Sequence, residues 1–153
     1  MDEIDKKILS VLQKNVDLPL SSIAKRVGIS KTPCWNRIRK MEEEGIISDK
    51  VAILNNLKIN LPIVVFLSIS VNHHTIDWIK KFSETVSKYK QIIEVYRITA
   101  SDMDYLLKIL APNIEEYDKF QQKLIGEIEF SSMSSKIALK EIKKVNSLPL
   151  DYL

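Results

Sequence analysis

One cysteine, three glycines and five prolines are all that the 153 residues hold of these types. The lone Cys34 cannot form an internal disulfide, which fits a reducing compartment. So little Gly and Pro excludes a collagen-like or low-complexity chain, and a 45% hydrophobic share with 28% charged residues points to a packed globular one. Long apolar runs are missing as well. The opening stretch MDEIDKKILSVL interrupts each apolar run with charge, so neither a signal peptide nor a membrane span is expected, and the compartment expected is the cytoplasm. No P-loop, nucleophile elbow, zinc signature or glycine-rich dinucleotide fingerprint occurs, so the expectation is a protein that is not an enzyme and needs no metal or cofactor.

Net charge is only +3, too small to argue a polyanionic partner, but its distribution is uneven. Between Leu18 and Met41 stand Lys25, Arg26, Lys31, Arg37, Arg39 and Lys40, with no acid among them, and Glu42, Glu43 and Glu44 follow at once. The same region carries strong helix punctuation. Ile4, Ile8, Val11 and Leu12 recur at helical spacing in a first helix. A second is expected to start near Ser21 and Ser22, bury Ile23, Ala24 and Val27, and end at Gly28. Ser30 then suits an N-cap, Pro33 falls in the first turn where it breaks no intrahelical bond, and a third helix buries Cys34, Ile38 and Met41 before stopping at Gly45. Two helices across a short Gly-containing turn, with a supporting helix before them, make a helix-turn-helix.

On the third helix Thr32, Asn36 and Lys40 lie opposite the buried stripe, flanked by Arg37 and Arg39. A helix fits the DNA major groove, where Asn and Arg pair with base edges and Thr meets a thymine methyl. Asn36 and Arg37 are the expected base readers, while Lys25, Arg26, Arg39 and Lys40 suit phosphates. Ser30 and Lys31, at the start of the helix, complete the expected contact set. Glutamates at the distal end would be repelled by phosphate and favour insertion of the N-terminal half. Trp35 is expected to pack against the first helix, with contact to the DNA backbone as the alternative.

After an expected strand at residues 46–54 and a polar stretch to Asn60, the pattern changes, and a domain boundary is placed between residues 60 and 61. IVVFLSISV reads as a buried strand, and Thr75 caps a helix with Ile79, Phe82, Val86 and Tyr89 inward. Strands near 92–99 and 105–110 flank the turn ASDMD; Asn113 with Glu116 resembles a capping box for a helix burying Ile114, Tyr117, Phe120 and Leu124. A last strand alternates Met133, Ile137 and Leu139 with Ser134, Lys136 and Lys140. The order β-α-β-β-α-β is that of a ferredoxin-like sandwich, so the class is α+β. His73 and His74, adjacent at a strand end, point to opposite faces and are not expected to share a metal.

The stretches IDKKILSVLQKN, SSIAKRVGISKTPCWNRIRKMEEEGII and DYLLKILAPNIEEYDKF resemble the leucine-responsive (Lrp/AsnC) family of transcription regulators over essentially the whole chain. The resemblance implies a winged helix-turn-helix in residues 1–60 and a ligand-sensing, oligomerising domain in 61–153. It also implies duplex DNA as partner, a homodimer through the sheet that assembles into tetramers or octamers, and a small amino acid as effector. By the same resemblance Ser101, Asp102, Met103 and Asp104 of one subunit and Ser134 and Ser135 of another would contact that effector, with Ser101 standing where the family has glycine. Two other readings stand beside this one: a DNA-compacting architectural protein without effector, and a small ferredoxin-like enzyme using Asp102 and Asp104.

Overall fold

The computed structural model describes residues 1–153 as two compact units, one of residues 1–53 with 142–153 and one of residues 54–141. The boundary therefore falls at 53/54 rather than 60/61, and the last twelve residues pack with the N-terminal unit. The return has visible causes: Gln13 exchanges two hydrogen bonds with the Leu148 backbone, at 3.3 and 2.6 Å, and Leu150 packs on the helical core.

In the first unit α1 spans Glu3–Leu12, α2 Leu20–Val27 and α3 Lys31–Glu43. Their apolar stripes meet in a core of Ile8, Leu9, Ile23, Ala24, Val27, Cys34, Ile38 and Met41. Burying each of the larger aliphatic side chains is worth about 1.5–3 kcal/mol, which holds together helices too short to persist alone. Asp2 caps α1 in a full capping box with Asp5. Helix α2 begins at Leu20, behind Pro19, with no side-chain cap, so Ser21 and Ser22 lie inside its first turn rather than at its cap. Gly28 at φ 79° and Gly45 at φ 71° occupy the left-handed region that ends α2 and α3. The strand expected over residues 46–54 does not form. Its β-branched residues have no neighbouring strand to pair with, and strand propensity expresses itself only through such pairing.

The second unit contains β1 (Ile63–Ser70), α4 (Ile76–Lys88), β2 (Ile92–Arg97), β3 (Tyr105–Ala111), α5 (Ile114–Glu127) and β4 (Ser132–Ile137). The sheet runs β2-β3-β1-β4 with every neighbour antiparallel. Val65, Leu67 and Ile69 of β1 and Tyr105, Leu107, Ile109 and Ala111 of β3 alternate inward onto Phe82, Tyr117, Phe120 and Leu124 of the helices. Thr75 caps α4 and Asn113 caps α5, each side chain accepting a backbone N–H, but Glu116 bonds Lys119 instead of closing a capping box. Four inward assignments fail. Ile79 and Ile114 are exposed, because Trp78 fills the space beside Phe82 and Ile114 is the first residue of α5, at the edge of the core. Ile137 is exposed at the end of the edge strand β4, and Leu139 lies beyond it and is fully exposed. On the other sheet face Val64, Phe66, Leu106 and Leu110 stay half-buried with no helix above them.

Candidate nucleic-acid interface

Helix α3 is amphipathic in the strict sense. Cys34, Ile38 and Met41 are buried at spacings of four and three, which turns Thr32, Asn36, Arg39 and Lys40 outward, all exposed. Lys25 and Arg26 on α2 and Lys31 at the start of α3 are exposed too. Ser30 holds the N-cap position without a side-chain bond to the helix, and no acid occupies the first turn, so the positive end of α3 is left unneutralised. Electropositive side chains and the end of a helix dipole thus share one surface, an arrangement suited to phosphate.

Arg37 is placed differently from expectation. Its Nη1 donates to Asp2 Oδ2 at 2.7 Å and Asp5 Oδ1 at 2.8 Å, tying α3 to the cap of α1. The Asp5 and then the Asp2 hydrogen bonds raise the Arg37 pKa further above its ordinary value. Asp2 is pushed below the usual carboxylate range by the Asp5 backbone N–H and then by Arg37. In the free protein Arg37 therefore brackets α3 to the cap of α1, whereas Asn36 beside it is exposed. The signal was legible, since Asp2 and Asp5 bear the spacing of a capping box, but a three-way contact joining residues 35 positions apart has no local pattern.

Trp35 also departs from expectation: 52% of it is exposed, with the Arg39 guanidinium carbon 5.7 Å from its ring centroid. The glutamates each have a partner. Glu43 meets Arg39 at 3.2 Å, Glu44 meets Lys40 at 3.7 Å, and Glu42 binds Lys50. At such exposure these pairs contribute little to stability and yield readily to a stronger anion.

In the second unit the turn before β3 is bound to the end of β1. The Ser70 hydroxyl donates to the Asp102 carbonyl at 2.5 Å, and Asp104 Oδ2 accepts the Val71 N–H at 2.8 Å. Asp104 Oδ1 lies 3.4 Å from His74 Nε2. Asp104 is thus already a structural acceptor, whereas Ser101 and Asp102 are exposed and Met103 is half-buried. Ser134 and Ser135 part company: Ser134 is exposed opposite Ser68, and the Ser135 hydroxyl sits 2.6 Å from that of Tyr117 on the helix side. No three metal-ligating side chains converge, and no helix is long and apolar enough to cross a membrane.

Comparison with known proteins agrees with this architecture. A family model described as winged helix-turn-helix DNA-binding matches residues 1–48, and one described as the Lrp/AsnC ligand binding domain matches residues 64–148. The HTH-type transcriptional regulator Zrp of Zymomonas mobilis is 37% identical over 100% of this chain and 99% of its own. The structure of an AsnC family transcriptional regulator from Agrobacterium tumefaciens superimposes with a TM-score of 0.95 at 45% identity, covering 100% of this chain and 99% of that one. A transcriptional regulator from Neisseria meningitidis, solved as an L-Met complex, gives 0.94 at 30% identity, covering 99% and 98%. Helix-turn-helix, antiparallel sandwich and whole-length similarity lead to one conclusion: the chain belongs to the Lrp/AsnC family of transcription regulators.

Proposed function

We propose that this protein is a sequence-specific DNA-binding regulator that lays α3 in the major groove and whose DNA binding responds to a small amino acid. The observation carrying the first part is the outward side of α3, where Thr32 and Asn36 stand exposed among cations while the opposite stripe is wholly buried. Thr32 and Asn36 suit base edges; Lys25, Arg26, Lys31 and Lys40, with the Ser30 hydroxyl, suit phosphates. The uncovered sheet face with Val64, Phe66, Leu106 and Leu110 is apolar enough to pair with a second copy, which supports a homodimer able to build tetramers or octamers. Dimers place two reading helices roughly 34 Å apart along the duplex, or a multiple of it. Such a protein works in the cytoplasm, where its DNA is.

For the effector, the exposed Ser101 and Asp102 and the partner's copy of the exposed Ser134 offer hydroxyl and carboxylate groups to an ammonium and a carboxylate. Met103 adds an apolar surface for a side chain, while Asp104 and Ser135 keep the site in shape through Val71 and Tyr117. Selecting bound duplexes from a random pool, with and without a mixture of L-amino acids, tests both parts. Enrichment of a two-part motif that shifts with an amino acid is the expected result. Binding of all duplexes alike would favour an architectural protein, and calorimetry showing no heat with any amino acid would remove the sensor.

A further inference from the structure

The side of α3 expected to meet DNA carries a large apolar group that the core does not need. Trp35 is 52% exposed, whereas the inner stripe is already filled by Cys34, Ile38 and Met41. Leaving an indole in water forgoes the burial that makes aromatic side chains valuable, and such rings are enriched where a binding partner covers them. It already holds one group in place. The Arg39 guanidinium lies 5.7 Å from the ring centroid, and Glu43 steadies its other side at 3.2 Å. An arginine resting on a ring loses less freedom on binding than one free in water, and it keeps that support when the carboxylate gives way to a stronger acceptor.

The neighbours define what could cover this ring. Lys25, Arg26, Lys31 and Lys40 are exposed on the same two helices, so a polyanionic occupant suits this surface. The DNA major groove is a polyanionic surface that also offers an apolar group, the thymine methyl, beside the paired acceptors of guanine. Arg37, the other arginine on the helix, is engaged by two carboxylates, Asp2 and Asp5, where Arg39 has one.

We propose that Trp35 and Arg39 act as one sequence-discriminating pair, the indole packing on a thymine methyl and the guanidinium forking onto a guanine. The proposal rests on the DNA-binding reading above and moves Arg39 from phosphate contact to base contact. The two residues are one helical turn apart, about 6 Å along the axis. With base pairs spaced about 3.4 Å, the thymine and guanine fall within about two steps of each other. Glu43 competes with guanine for the same guanidinium, so E43Q binds duplex DNA more tightly than the parent protein.

The test uses the full-length protein and the duplex it selects from a random pool, beside a duplex of random sequence. W35A should lose about tenfold or more on the selected site and far less on the random one. Replacing the contacted thymines with deoxyuridine removes only methyl groups; it should weaken the parent protein and leave W35A unchanged. R39K keeps the charge but not the fork, and should retain random binding while losing roughly 5- to 150-fold of guanine preference. In W78F, which leaves Trp35 as the sole indole, selected duplex should quench the emission. Equal losses of W35A on both duplexes, methyl dependence that survives in W35A, or an unquenched Trp35 overturns the proposal while DNA binding stands. A parent protein that binds neither duplex overturns the DNA-binding reading, and the pair with it.

Discussion

Salt dependence of DNA binding separates the roles assigned to the basic residues. Each phosphate-bound cation releases condensed counterions, so log K falls with log salt at about 0.9 per contact on duplex DNA. Lys25, Arg26, Lys31 and Lys40 are exposed and assigned to phosphate, Arg39 to a base, and Arg37 to Asp2 and Asp5. Four contacts per reading head give a slope of about −3.6, and a dimer about −7. Raising salt fourfold should then weaken a dimer roughly 2 × 10⁴-fold. Fluorescence anisotropy on a labelled duplex over a salt series measures the slope. K25A or K31A should each flatten it by about 2 per dimer, one copy from each protomer. R37A should leave the slope of the folded protein unchanged and instead lower thermal stability, because it removes the bracket between α3 and the α1 cap. A slope that flattens as much for R37A as for K31A would refute the assignment, since an arginine spent on Asp2 and Asp5 has no counterions to release.

Three further outcomes concern stability and reactivity. Gly28 holds φ 79° with nothing within 4 Å of an added Cβ, so Gly28→Ala meets no clash and costs only the left-handed conformation, about 1–2 kcal/mol by denaturant unfolding. Tyr89 donates its hydroxyl to Glu127 at 2.6 Å, and that bond, with burial, pushes its pKa up to about 12. The folded state therefore keeps a proton that the unfolded chain sheds near pH ~10, so this group's contribution is full below ~10 and is lost as pH rises toward 12; Y89F should flatten that part of a stability–pH profile. Burial raises the pKa of Cys34, which has no exposed surface, so a chromogenic thiol reagent should react with it only at the rate of opening of the helical unit.

Local rules carried most of the fold. The glycines at 28 and 45, the apolar spacing of α3 and the Thr75 cap each depend on a few neighbouring residues, and each stands where the sequence places it. What failed depended on partners far along the chain. Residues 46–54 have strand-like composition, yet a strand needs a neighbour; Ile79 fits a helical stripe, yet Trp78 takes the place beside Phe82. The return of residues 142–153 rests on Gln13 and Leu150, which no periodicity announces. On the candidate interface, helical geometry was enough to turn Thr32, Asn36 and Lys40 outward. It was not enough to see that Arg37 belongs to Asp2 and Asp5, or that Trp35 lies outside the core beside Arg39. Side-chain length lets both residues at the edge of a stripe choose either side, and the choice is made by tertiary partners.

The most direct measurement of the central claim is cross-linking from the outward side of α3. Asn36→Cys can be labelled with a photoactivatable aryl azide while Cys34 stays protected by burial. The account predicts adducts on major-groove base edges in two clusters roughly 34 Å apart, or a multiple of that, and none from the same probe at Lys123→Cys on the exposed side of α5. Adducts from position 123 with none from position 36, on a duplex that the protein demonstrably binds, would contradict it.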